Sequence, residues 1–277
     1  MTVLSPSDIA RRHAAFLALH RRPGAFVIPN PWDAGSAKLL AALGFEALAT
    51  TSAGYAFSRG KRDSAAALSR DEMLANAREI VAATTLPVSA DLENGFGHAP
   101  QDCAQTIRAA MGVGLVGGSI EDASGDPAAP IYPFEIAVAR VRAAAQACAG
   151  APFALTARAE NFLWGRPDLA DVVARLQAFE AAGAQVLYAP GLPDLDAIRA
   201  VCAAVSRPVN VVTGLGKARW SVAELEQAGV KRVSVGGSLA RAAWGGLLRA
   251  ATELRERGTV TYADAAMSGA EIEKLMD

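Results

Sequence analysis

The chain has 277 residues, 52% of them hydrophobic and 20% charged, and sets 27 Lys and Arg against 28 Asp and Glu for a net charge of −1. A chain of this length buries enough surface to fold without disulfides or a structural metal, and its balanced charge lacks the basic excess of a nucleic-acid binder. No apolar run reaches the roughly 18 residues of a membrane helix, so neither nucleic acid nor membrane is expected as a partner.

From the N-terminus, the spacing predicts a helix over residues 5–20, whose Asp8, Arg11 and Arg12 occupy the place where a signal peptide would be apolar. Next comes a recurring unit: an Ala-rich amphipathic helix, a glycine, and a short apolar strand. Three copies are nearly superimposable, LAALGFEALATT from Leu40, AFEAAGAQVLYAP from Ala178 and LEQAGVKRVSVG from Leu225. In each, the glycine falls where a helix ends in a left-handed residue. Strands are expected at 26–28, 47–52, 88–93, 117–122, 153–160, 186–190, 209–213 and 232–236. Capping boxes at Ser69/Glu72 and Ser221/Glu224 mark two helix starts. Eight strands alternating with helices over about 250 residues imply a single (β/α)8 TIM barrel spanning 1–277. After the last strand, a helix at 239–257 carries Trp244, Leu247, Leu248 and Leu254 on one face, and a helical tail occupies 259–277, able to dock on a neighbouring subunit.

Two glycine motifs carry little. Gly112-Val-Gly114-Leu-Val-Gly117 spells a dinucleotide fingerprint, but it runs from helix to strand, the reverse of the required order. Thr213-Gly-Leu-Gly-Lys217 lacks the first glycine of a phosphate loop. Three histidines, two of them in the N-terminal helix, argue against zinc. Three widely spaced cysteines, Cys103, Cys148 and Cys202, suit free thiols in a reducing cytoplasm.

The informative residues are charges on otherwise apolar strands. Period-two alternation puts Ser89, Asp91 and Glu93 on one face of the third strand, Ser119 and Glu121 on one face of the fourth, and Thr156, Arg158 and Glu160 on one face of the fifth. At the C-terminal ends of adjacent parallel strands these groups converge on the barrel mouth, where active sites of this architecture lie. Charges there are costly unless paired or metal-bound. Asp91 and Glu93, with Glu121 directly or through water, form an oxygen set suited to Mg2+. The competing reading is a structural network in which Arg158 bridges Glu121 and Glu160. The planar fork of Arg158 also suits a substrate carboxylate, and Thr50-Thr-Ser-Ala-Gly54 reads as a small-residue turn able to offer backbone N–H groups to an anion.

These residues resemble the phosphoenolpyruvate mutase/isocitrate lyase superfamily. The most specific part is Asp91-Leu-Glu93-Asn-Gly-Phe-Gly97, similar to the family's metal loop, supported by the Thr51-Ser-Ala53 segment, Arg62-Asp63, Ile120-Glu-Asp122 and Ala157-Arg-Ala-Glu160. The resemblance implies Mg2+ (or Mn2+) on Asp91, Glu93 and Glu121, with Asp63 joining through ordered water. It makes Arg158, Glu121 and Asp63 the catalytic candidates and Thr51, Ser52, Ala53, Arg158 and Glu160 the substrate-binding ones. It further implies enolate chemistry on a small 2-oxo or 2-hydroxy carboxylic acid, and a homodimer or homotetramer that exchanges the eighth helix. The stretch 122–132 holds neither the Cys and His of the lyase loop nor the Lys and Thr-Asn-Ser of the phosphonate enzymes. Tyr132, Tyr55, His98, Glu160 and water are then the available proton sources. Carbon–carbon cleavage of an oxaloacetate-like acid demands least of that loop. Carbon–phosphorus chemistry and a catalytically lapsed acid-binding protein are the alternatives.

Overall fold

The computed structural model describes residues 4–63, 67–216 and 220–276. Helix α1 (Pro6–Arg21) is capped by Ser5, whose hydroxyl accepts from the Asp8 N–H. Eight parallel strands follow: β1 (Phe26–Ile28), β2 (Leu48–Ala49), β3 (Val88–Asp91), β4 (Gly117–Glu121), β5 (Ala154–Arg158), β6 (Val186–Tyr188), β7 (Val209–Val212) and β8 (Arg232–Ser234). Neighbours in space are neighbours in sequence, and β8 returns to pair with β1. This is the expected (β/α)8 barrel. Between β1 and β2 the ring closes by a single backbone bond, Ala49 N–H to Pro29 O at 3.0 Å. Asn30 clasps the same place: its Nδ2 donates to Thr50 O at 2.9 Å, and its Oδ1 accepts from the Val235 and Gly236 N–H groups, each at 2.9 Å.

The outer layer comprises α2 (Ala34–Ala42), α3 (Ser52–Ser58), α4 (Arg70–Ala82), α5 (Pro100–Gly112), α6 (Phe134–Ala147), α7 (Leu169–Ala181), α8 (Leu195–Ala204), α9 (Val222–Gln227) and α10 (Ser238–Arg257). Both expected capping boxes form, Ser69 with Glu72 and Ser221 with Glu224. The three repeat glycines take positive φ, 87° at Gly44, 112° at Gly183 and 93° at Gly229, a region that only glycine enters cheaply. The apolar faces of these helices pack on the sheet to form the main core, including Ile80, Ile107, Leu155, Phe179 and Ile198. Phe16 and Leu19 of α1 build a second cluster with Phe26 and Val116 at the N-terminal ends of the strands.

Several boundaries differ from expectation. The first strand ends where expected, and the other seven stop one to three residues early at their C-terminal ends, because the chain there leaves the ladder to form the mouth. Residues 51–54 are not a turn. Thr51 caps α3, accepting from the Gly54 N–H at 3.2 Å, and α3 packs so tightly that a Cβ on Gly54 would lie 2.7 Å from Thr51 Cγ2 and 3.2 Å from Ala240 Cβ of α10. Helix α11 (Gly269–Met276) follows a 3-10 turn (Thr261–Ala265) and lies against α2 of the same chain, where the Lys38 ammonium donates to Met276 O. Lys217 of the second glycine motif and Asp277 of the tail lie outside the described residues. No helix among the described residues is long and apolar enough to cross a membrane.

Candidate active site

At the C-terminal rim of β2 to β5 a cavity of about 320 Å3 is lined by five carboxyl groups, those of Asp63, Asp91, Glu93, Glu121 and Glu160, and by one guanidinium, Arg158. Strand register brings them together: Asp91 pairs with Ser119, and Glu121 lies beside Arg158. Arg158 is the hub. Its Nη1 lies 3.0 Å from Asp91 Oδ1 and 3.2 Å from Glu121 Oε2, its Nη2 is 2.8 Å from Glu160 Oε1, and its Nε donates to that same oxygen at 2.9 Å. The Tyr188 ring lies 4.9 Å below the guanidinium, a cation–π contact.

The acids do not share one environment. Asp91 accepts from the Ser52 hydroxyl at 2.9 Å and the Ser52 N–H at 3.3 Å, so the α3 N-terminus and Arg158 hold it from two sides. Glu160 is 2% exposed, and its N–H donates to Asp122 Oδ1 at 2.8 Å. Asp122 in turn pairs with Arg175 of α7 at 2.9 Å. Burial pushes the Glu121 carboxyl well above the usual carboxylate range; Arg158 opposes the rise, and Glu160, Asp91 and Glu93 add to it. Burial, and then the charge of Asp91, raise Asp63 as well. Arg158 is itself disfavoured by burial, but Glu160, Glu121 and Asp91 together hold its proton more firmly than usual.

Glu93 reaches the rim by a route that alternation does not describe. It lies beyond β3 with φ 46°, and with Phe96 (φ 58°) it is one of two non-glycine residues in the left-handed region among the described residues. Such conformations cost on the order of 1–3 kcal/mol each and persist where packing imposes them. Here the loop is held from outside: Thr106 Oγ1 donates to Gly95 O at 2.8 Å, and the Arg140 guanidinium of α6 donates to the carbonyls of Asn94 and His98.

Of the possible proton sources, Glu160 lines the cavity and Tyr132 does not. The Tyr132 hydroxyl meets His98 Nδ1 at 2.8 Å, and its ring lies under Arg140 at 4.2 Å. Tyr55 packs against the apolar cluster of Ala56, Leu68 and Met73. The loop 122–132 closes on itself through a bridge between Ala123 and Ile131, and Gly125 is the part of it that reaches both the site and the neighbouring space beside His98. Sequence reasoning missed Tyr188, Asn210, Arg232 and Ser234. All four line a second cavity of about 190 Å3 that continues from Asp91 and Arg158 into the barrel. Polar residues at alternate positions of β7 and β8 were the available signal.

As a metal site, the donor chemistry fits and the present geometry does not cage an ion. Every donor is a hard oxygen, and the carboxylates outnumber the guanidinium, as a divalent cation requires. Among the described residues, however, no three acid, His or Cys side chains converge on one point, because Arg158 stands between them.

Comparison with known proteins gives a consistent picture. Residues 16–255 match the family model for phosphoenolpyruvate phosphomutase. A crystal structure from Burkholderia cenocepacia J2315, described provisionally as a lyase/mutase, shares 58% identity over 97% of this chain and 96% of its own, with a TM-score of 0.94. The oxaloacetate decarboxylase of Paraburkholderia xenovorans (strain LB400) is 30% identical over 84% of this chain and 78% of its own. The structure of 2,3-dimethylmalate lyase, a member of the phosphoenolpyruvate mutase/isocitrate lyase superfamily, is 25% identical with a TM-score of 0.85, covering 100% of this chain and 96% of its own.

Proposed function

The chain belongs to the phosphoenolpyruvate mutase/isocitrate lyase superfamily, and from that premise we propose that it is a Mg2+-dependent lyase cleaving a carbon–carbon bond of a small 2-oxo or 2-hydroxy carboxylic acid through an enolate. One observation carries the reading: five carboxyl groups share a cavity with a single guanidinium. Arg158 cannot neutralise them alone, and a hard cation would complete the charge. Asp91 and Glu93 would hold it, with Glu121 and Asp63 beside them, and Mn2+ would suit the same oxygens. Bound there, the ion would supply positive charge for the oxygen that becomes negative as the enolate forms.

The remaining roles belong to the chain's own groups. Nη1 of Arg158 is divided between Asp91 and Glu121; with those acids engaged elsewhere, Nη1 and the outer N–H of Nη2 would hold a substrate carboxylate in two parallel hydrogen bonds. Glu160, on Nε and Nη2, fixes the rotation of that fork. Ser52 orients Asp91, and Thr51, Ser52 and Ala53 line the same cavity as Arg158. Among the described residues no Cys or His lines the cavity, which favours reactions that need only enolate stabilisation, such as decarboxylation or hydrolysis of an oxaloacetate-like acid. The oxaloacetate decarboxylase and the dimethylmalate lyase, both carbon–carbon enzymes, support this choice. The same reading includes a homodimer or homotetramer, supported by the exposure of Trp244, Leu247, Leu248 and Leu254 on α10.

The test is to incubate the protein with Mg2+ and, separately, oxaloacetate, 2-methylisocitrate, 2,3-dimethylmalate and phosphonopyruvate, following the 2-oxo acid and inorganic phosphate. Divalent-dependent carbon–carbon cleavage is expected, and Asp91→Ala should lower kcat/KM by about 10^2 to 10^3-fold with folding intact. Phosphate release without carbon–carbon cleavage, or undiminished turnover by Asp91→Ala, overturns the assignment.

A further inference from the structure

Below the layer that carries Asp91, Glu121 and Arg158, the barrel is filled by polar side chains, among them Ser89, Thr156, Asn210, Arg232 and Ser234. Barrel interiors are ordinarily packed with Val, Ile and Leu. Arg232, on β8, is 6% exposed. Its Nε donates to Asn210 Oδ1 at 2.8 Å and its Nη2 to Thr156 Oγ1 at 3.0 Å, while Nη1 is buried without a partner. The ion pairs among the described residues include none to Arg232. Burial pulls its pKa down to about 10, and the only group opposing that shift is Tyr188. A buried cation with neither anion nor full hydrogen bonding is costly, and three of its neighbours are hydroxyl or amide groups that leave its charge in place.

Arg232 lines the same cavity as Arg158, Asp91, Ser52 and Ala53. Thr156, its hydrogen-bond partner, precedes Arg158 by two positions on β5, which is about 7 Å along the strand. Two arginines therefore serve one space from different depths. Its volume of about 190 Å3 equals that of roughly six liquid waters, room for a three- or four-carbon diacid.

We propose that Arg232 is a second carboxylate-binding residue, and that this chain selects a small dicarboxylic acid with one carboxylate on Arg158 and the other on the guanidinium of Arg232. The inference rests on the reading above in giving Arg158 a carboxylate to bind. It goes further in assigning the depth of the cavity to recognition and in excluding monocarboxylic acids by an unmet buried charge.

Calorimetric titration of the full-length chain with malonate and with acetate, in Mg2+ buffer, tests this without requiring turnover. The wild type should bind malonate about ten to a hundredfold more tightly than acetate, the range of a hydrogen bond to a charged group. Arg232→Met should erase that preference while acetate affinity, which depends on Arg158, stays unchanged. Should Arg232→Met not fold, Arg232→Lys carries the test, with malonate weakened about tenfold and acetate unaltered. A wild type with no preference, or either folded variant retaining the full preference, overturns the proposal. Absence of turnover on every acid above would overturn the lyase reading and leave this binding result standing.

Discussion

His20 shows how one side chain makes stability depend on pH. Its ring meets Phe16 and Phe26 edge-on, at centroid distances of 4.7 and 5.0 Å, and its Nδ1 lies 2.8 Å from Phe16 O. Burial, reinforced by the charge of Arg232, lowers its pKa to about 3, whereas an unfolded histidine titrates near 6.5. The unfolded chain therefore takes up the proton more readily. The contribution is complete above pH 6.5 and is lost as pH falls towards 3, reaching about 2 kcal/mol at pH 5. Thermal melts at pH 7 and pH 5 should show a clear fall in Tm for the wild type and a smaller one for His20→Gln; equal falls would show that the folded chain protonates this ring as readily as the unfolded one. At the candidate site, Asp91, Glu121 and Arg158 were legible because each lies on a strand where alternation governs direction. Glu93 was placed on the right rim for the wrong reason, since its backbone is left-handed. Arg232 was not legible because β8 is only three residues long, too short for alternation to fix direction, although its spacing from Ser234 carries the same inward signal.

Among the elements, glycine-terminated helices and capping boxes were legible because their signals are local. Asp33 with Ser36 makes a further box, hidden because serine replaces the usual Glu or Gln. Helix α3 was not legible: Ser-Ala-Gly reads as a turn, and the close approach of α10 that Gly54 permits comes from residues far along the chain. That same α10 turns its apolar face outward, with Leu247 60% and Leu248 68% exposed. Adjacent Trp244 and Leu254 make this a patch of the kind that marks an interaction surface. Light scattering after size exclusion should report a dimer or tetramer for the wild type, and Leu248→Glu should shift the population to smaller species. A monomeric wild type would refute self-association through this face.

At the scale of the molecule, the barrel was legible from the count and alternation of elements, and its closure was not. Where β1 meets β2 the ring depends on one backbone bond and on Asn30, which is 5% exposed and serves three backbone groups. Nothing in the residues near Asn30 announces this duty, because its partners come from positions 50, 235 and 236.

A hoop fastened by one buckle yields at the buckle. In native-state hydrogen exchange, the amide of Ala49 should lose its protection at a lower opening free energy than those of β4 and β5, whose ladder is five residues long. Asn30→Ala should lower global stability by about 1–3 kcal/mol and hasten Ala49 exchange more than that of any β5 amide. Uniform acceleration around the circumference would mean that the strain is shared by all staves. Because the α3 N-terminus and Ser52 hang directly from this join, slackness there would reach the hydrogen bond between Ser52 and Asp91 before any other part of the wall.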